Sequence, residues 1–169
     1  NNAYKDAENF SPEYISKVKV LQFVSQPDKK VFTLNRKHLL HLEEKYNFHG
    51  KFFYIPNQFW KHKNHMLIFH AVKILNKMGI EILILCSGYM QDHRNPEYIE
   101  EIKNFINENT LNDNIKLLSL IDYTDVLYFM RYSIAVINPS LFEGWSSTVE
   151  ECKSIGKNML LSDIAIHRE

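Results

Sequence analysis

The chain has 169 residues, a formal net charge of zero, 45% hydrophobic and 24% charged residues. These values describe one ordinary globular domain with enough apolar side chain for a sizeable core, and they exclude a disordered charged tail. The balanced charge leaves nucleic acid no electrostatic footprint to bind.

The two cysteines, Cys86 and Cys152, stand far apart in no metal-type spacing, which fits a reduced, cytoplasmic compartment. No apolar run approaches the ~20 residues that span a bilayer, and no charged n-region leads into an apolar stretch at the start.

The opening stretch from Asn1 to Lys17 is polar and helix-like, Val18 to Val24 reads as a strand, and Leu34 to Tyr46 reads as a helix. From Gly50 the pattern becomes regular. Lys51 to Ile55 is a short aromatic and β-branched run, a buried strand. His65 to Met78 has a helical period that Gly79 stops, and Ile80 to Cys86 is a second strand closed by Ser87-Gly88. Pro96 opens a helix to about Asn109, Ile115 to Leu120 is a third strand, and Thr124 caps a helix to about Tyr132. Ile134 to Asn138 is a fourth strand ended by Pro139. Ser147-Thr-Val-Glu150 fits a capping box for a helix that Gly156 stops, and Met159 to Leu161 is the fifth strand.

Near-continuously apolar strands separated by single helices imply βαβ units, right-handed connections and a Rossmann-like, doubly wound parallel sheet of the α/β class. The first fifty residues fit that alternation poorly, and the last strand is followed by no cap or tail. The expectation is a piece of a longer protein, truncated at both ends. Residues 1–24 would form the junction from a preceding domain, and residues 25–169 an incomplete ligand-binding domain.

Ligands of such sheets sit at the carboxyl ends of the strands, where helix N-termini also offer free N–H groups to anions. Two loops on that edge carry chemistry. The first, Pro56 to His65, holds Gln58, Lys61 and Lys63 before a helix. It reads either as a phosphate clamp or as a polar surface loop with Trp60 packed beneath it. The second, Asn138 to Glu151, places Gly144, Trp145, Ser146, Ser147 and Thr148 before a helix start, a setting that suits a diphosphate held by backbone N–H groups. Glu143 in the loop and Glu151 in the helix can face one cleft, and carboxylates accept well from sugar hydroxyls. Glu150 reads as a capping partner, and Glu151 taken alone also reads as a solvated residue favoured by the helix dipole. His62, His65 and His70 invite a zinc reading. His65 and His70 are five apart and face different ways, and no carboxylate or cysteine completes a set, so no metal is expected.

Glu143 and Glu151 have the E-x7-E spacing of family 4 glycosyltransferases, within a similar Pro-Ser-x-x-Glu-Gly context and before a similar Gly156-Lys157 turn. Lys63-Asn64 resembles the lysine part of that family's diphosphate site, and Cys86-Ser87-Gly88 its glycine turn. The resemblance covers about residue 15 onward. It implies the C-terminal half of a GT-B enzyme that retains anomeric configuration and needs no metal or other cofactor; no D-x-D motif is present. The co-substrate would be a nucleotide-diphosphate sugar. The acceptor would be a glycan or lipid-linked intermediate held by an N-terminal domain, in surface polysaccharide synthesis at or near the inner membrane face.

By the same resemblance Lys63 neutralises the diphosphate and Glu143 contacts the transferred sugar. Glu151 holds the ribose, backbone N–H groups of Gly144 to Thr148 meet phosphate and sugar oxygens, and the base lies against Leu120, Ile121 and Tyr123. Gln58 stands where the family carries an arginine. An amide can hydrogen-bond a phosphate but cannot neutralise it, so Lys61 is a candidate for the missing charge. The rival readings are a GT-B-shaped nucleotide-sugar epimerase and a non-catalytic nucleotide-sugar-binding module. A Rossmann oxidoreductase is disfavoured because no G-x-G-x-x-G follows a strand.

Overall fold

The computed structural model describes residues 2–21, 24–33 and 35–168. Helix α1 (Asn2–Phe10) and a 3-10 turn (Pro12–Lys17) come first, followed by α2 (Arg36–Tyr46). Strand and helix then alternate: β1 (Phe53–Ile55), α3 (His65–Lys77), β2 (Ile84–Cys86), α4 (Tyr98–Glu108), β3 (Ile115–Leu117), α5 (Tyr123–Tyr132), β4 (Val136–Asn138), α6 (Ser147–Ile155) and β5 (Met159–Leu161). The five strands form one sheet in the order β3-β2-β1-β4-β5, with every pairing parallel. The chain builds outward from β1 to β3, crosses back through α5, and continues on the other side of β1 with β4. The switch in direction therefore lies between β1 and β4, where Tyr54 pairs with Val136.

Strand residues alternate between faces, so neighbouring side chains enter different cores. Tyr54, Leu85 and Val136 join Leu42, Phe129, Cys152 and Ile155 beneath α2, α5 and α6. Ile55, Ile84, Cys86 and Ile137 join Phe69, Val72, Ile102 and Ile106 beneath α3 and α4. Cys86 and Cys152 are both buried and free, on opposite faces of the sheet. In the first core the rings of Phe48, Phe52, Tyr54 and Tyr46 surround Phe129 at centroid distances of 5.2–5.7 Å. Lys45 Nζ and Tyr46 Oη both meet Asp125 Oδ2, at 2.7 and 2.6 Å, and tie α2 to α5.

Three local expectations change. The apolar segment 18–24 forms no strand at its described residues, since the five strands already pair among themselves; Gln22 and Phe23 lie outside the described residues, as does Leu34 at the expected start of α2. Val18, Val20 and Leu21 instead line a groove with α1, Gly144 and Trp145. The cap of α6 is Ser146, one residue before the expected Ser147, and its hydroxyl accepts from Val149 N–H at 3.4 Å. That shift leaves Glu150 outside the capping box and paired with Lys153 at 2.9 Å. Helix α5 begins from Asp122, not Thr124. The C-terminal stop of α6 is as expected, with Gly156 left-handed at φ +65°. Among the described residues no helix is long and apolar enough to cross a membrane.

Candidate active site at the sheet switch

Because β1 and β4 are neighbours, the loops leaving their carboxyl ends meet, and they are stitched together by side chain and backbone. Asn57 Nδ2 donates to Asn138 Oδ1 at 3.1 Å, and Asn64 Nδ2 donates to the Pro139 carbonyl at 3.2 Å. The Leu141 N–H donates to the His62 carbonyl at 2.8 Å. Asn64 takes the left-handed conformation (φ +58°), which asparagine tolerates, and so turns the chain sharply from the loop into α3.

On this seam Lys63 Nζ meets Glu143 Oε1 at 2.7 Å, with side chains only 14% and 6% exposed. The same carboxylate oxygen lies 2.7 Å from Ser140 Oγ and 3.3 Å from Asn138 Nδ2. Burial pushes the Glu143 carboxyl up; the Lys63 ammonium, the Ser140 hydroxyl and the Asn138 amide outweigh it, and the net direction is down. Asn138 and Ser140 are themselves fully buried. Asn138 Nδ2 also donates to Ser146 Oγ at 3.0 Å, which joins the web to the N-terminus of α6. Glu143 forms part of the wall of a cleft of about 470 Å³, together with Phe142, Gly144, Ile164 and Ile166, with Ala3 and Asp6 of α1 opposite.

Glu151 sits further along α6 and receives the Tyr123 hydroxyl at 2.7 Å. Burial pushes its carboxyl up and the tyrosine pulls it part of the way back. Leu120 on the β3–α5 loop and Tyr123 at the start of α5 are exposed, whereas Ile121 packs against the core. Across the loop and first turn of α6, Gly144, Trp145 and Ser147 are exposed while Ser146 and Thr148 are buried. The first-turn N–H groups of Ser147 and Thr148 can have no intrahelical partner, and α6 points them at this edge.

The side chains of the first loop are divided in their commitments. Gln58 Oε1 accepts the Tyr89 N–H at 2.6 Å, while Phe59 N–H donates to the Tyr89 carbonyl at 3.0 Å. Gln58 therefore pins the β2–α4 loop, and only its amide NH2 is left for a ligand. Lys61 uses its backbone N–H on Asp92 Oδ2 at 2.9 Å, and the residue lines a shallow basin with His62, Arg94 and Asn95. Phe59 is buried in the core and stacks on His65 at 4.5 Å. Burial holds that imidazole at about 3, so it is neutral. Among the described residues no group of three or more His, Cys, Asp or Glu could hold a metal.

Gln58→Arg is expected to gain no affinity for a diphosphate and to lower stability, because the guanidinium cannot accept the Tyr89 N–H. Titration of nucleoside diphosphate alongside thermal melting checks both parts. Gly88 supports the same junction. Its amide donates to the Ser119 carbonyl at 2.9 Å, and a Cβ there would lie 2.4 Å from the Asn57 carbonyl oxygen.

The sequence reading missed Asn57, Asn138, Ser140 and Asp92. The available signal was a polar residue, Asn138, at the end of an otherwise apolar strand that the sheet buries completely.

Residues 41–169 match the family of glycosyl transferases group 1, and the chain belongs to it. It is similar in fold to a glycosyltransferase from Rickettsia africae ESF-5, with a TM-score of 0.78 and 18% identity over 97% of this chain and 48% of that one. It is also similar to Anabaena Alr3699/HepE, solved with UDP and glucose, with a TM-score of 0.67 and 13% identity over 80% of this chain and 36% of that one. A third likeness is to the C-terminal domain of the group 1 glycosyl transferase LpcC from Francisella tularensis, with a TM-score of 0.63 and 17% identity over 80% and 70% of the two chains. These are likenesses of fold, to one α/β half of the GT-B architecture, and the chain spans about half or less of the first two proteins. A comparison with curated proteins finds no match.

Proposed function

We propose that this chain is the nucleotide-sugar-binding half of a retaining, metal-independent glycosyltransferase, moving a sugar from a nucleoside diphosphate to a glycan or lipid-linked acceptor in surface polysaccharide synthesis. The observation that carries this reading is the Lys63–Glu143 contact at the sheet switch, beside the N-terminus of α6. A departing diphosphate needs positive charge, and a sugar needs acceptors for its hydroxyls; this corner supplies both. Lys63 with the first N–H groups of α6 takes the diphosphate, and Glu143 faces the transferred sugar. Glu151, turned by Tyr123, takes the ribose, and the base rests against Leu120 and Tyr123. The leaving phosphate takes the acceptor's proton in a front-face attack, so no base from this chain is required. The acceptor is held by an N-terminal domain, in the cytoplasm at the inner membrane face.

Full-length protein incubated with nucleotide sugars and acceptor is expected to release free nucleoside diphosphate. A ligand at 100 times its Kd contributes roughly 2.7 kcal/mol of stability, enough to select the donor from a thermal-shift panel. Glu151→Ala is expected to weaken nucleoside diphosphate about tenfold, the size of a lost hydrogen bond to a charged group, and to leave inorganic pyrophosphate affinity unchanged. Equal losses for both ligands would move Glu151 off the ribose; a panel with no stabilising nucleotide would remove the reading altogether.

A further inference from the structure

Glu143 is held by one oxygen only. Lys63 Nζ, Ser140 Oγ and Asn138 Nδ2 all converge on Oε1. Oε2 has no hydrogen-bond partner among the described residues, it is not among their buried orphan atoms, and Glu143 lines the cleft. The tether is in turn anchored. Asn138 offers both amide hydrogens, to Glu143 and to Ser146, and its Oδ1 accepts from Asn57 at 3.1 Å and lies 2.6 Å from the Ser140 hydroxyl. The single Ser140 hydroxyl hydrogen serves one of these neighbours at a time; with it on Glu143 at 2.7 Å, Asn138 still donates twice and accepts from Asn57, which Asp or Leu at the same place could not do.

We propose that Asn138 and Ser140 are positioning residues that tie one carboxylate oxygen of Glu143 and so present the other, Oε2, to hydroxyls of a monosaccharide in the cleft. This rests on the reading of Glu143 as the sugar-facing carboxylate. The physical basis is rotational. An untied carboxylate in a cleft samples several rotamers, whereas three donors on one oxygen leave a single orientation at no cost on ligand binding. Lys63 contributes to the tether only while it is not drawn to a diphosphate. Asn138 and Ser140 are the donors that stay in place when the site is loaded.

The test uses full-length protein carrying Ser140→Ala, Ser140→Thr or Asn138→Ala. Ser140→Ala is expected to keep nucleoside diphosphate affinity within about twofold. It is expected to lose at least about tenfold in kcat, the size of a lost hydrogen bond to a charged group. Ser140→Thr, which restores the hydroxyl, recovers most of that loss. Carbon-detected NMR titration of Glu143 gives a readout independent of turnover. Its ionisation moves up in Ser140→Ala and returns in Ser140→Thr, because one donor to the charged form is removed and replaced.

Wild-type turnover in folded Ser140→Ala, or an unmoved Glu143 titration, overturns the proposal. A fall in melting temperature, kcat and nucleotide affinity together, with the Glu143 titration unmoved, also overturns it, since the web is then only structural. If Asn138→Ala does not fold, the two Ser140 variants decide the question. If wild-type protein binds no nucleoside diphosphate, the functional reading above fails by itself, and the Glu143 titration still tests the tether.

Discussion

If the proposed function holds, Lys63→Ala in the full-length protein is expected to abolish detectable sugar transfer, to weaken nucleoside diphosphate binding by about a hundredfold, and to lower stability at neutral pH by about 3 kcal/mol. The affinity loss would follow from removing the one side-chain cation that, among the described residues, is paired with Glu143 at the sheet switch, in a corner where solvent screening is weak. The stability loss has a different origin. Glu143 has a side chain only 6% exposed, and without the ammonium its charge is left to Ser140 and Asn138 alone.

The sign with pH follows from the direction of the shift. In the folded protein the Glu143 carboxyl lies below its ordinary value of 4.5. Between the two values the unfolded chain binds more protons, so the contribution of Glu143 is complete above 4.5 and is lost as pH falls through the folded value. In Lys63→Ala the carboxyl moves up, and the gap in stability between wild type and variant is wide at pH 7 and narrows in acid. Urea melts at several pH values measure it. The double variant Lys63→Ala, Glu143→Gln regains most of the stability at neutral pH and none of the nucleotide affinity. A gap that stays constant with pH would mean that the two charges are not coupled.

Gly88→Ala lowers stability by about 2–3 kcal/mol, the range of a forced overpacking, and with it the melting temperature by about 5–10 °C. The added Cβ would stand 2.4 Å from the Asn57 carbonyl oxygen, 2.8 Å from its carbon and 3.0 Å from Gln58 Cα, all backbone atoms with no rotamer to swing away. Gly88 has φ +153°, and its own amide is fixed on the opposite side by the Ser119 carbonyl, so neither chain can yield freely. The strain therefore reaches the Asn57–Asn138 bond and the loop that carries Lys63, and under the proposed function nucleotide affinity is expected to fall although Gly88 lies outside the Lys63–Glu143 pair. Gly144→Ala is the control. Nothing lies within 4 Å of a Cβ there, so its melting temperature stays at the wild-type value. Equal melting temperatures for both variants would show that the β1 and β2 loops do not approach as closely as described.

The five strands and the helices between them were legible because each is a short apolar run bounded by turn residues, a signal that depends only on near neighbours. The strands proved shorter than the runs: Ile82 to Cys86 is continuously apolar, yet only Ile84–Cys86 pairs. Pairing length depends on where the partner strands begin, which no single run records. Val18 to Val24 failed as a strand for the related reason that an apolar segment needs a free ladder edge. The caps shifted by a residue or two because Ser146 and Ser147 are chemically alike, and the hydroxyl that caps is chosen by its contact with Asn138.

Lys63, Glu143 and Glu151 stand at the strand-end edge and take their expected roles from the family resemblance, and the structure puts the first two in contact. Amino-acid order by itself settled the α/β class and which residues at the carboxyl ends of the strands carry charge. It could not settle that Gln58 turns back to Tyr89, that Glu151 leans on Tyr123, or which oxygen of Glu143 is tied. The Tyr89, Tyr123 and Lys63 contacts join groups 28 to 80 positions apart. They exist because the sheet lays β2 and β4 on either side of β1 and packs α6 near the start of α5, an arrangement made by packing both apolar faces at once.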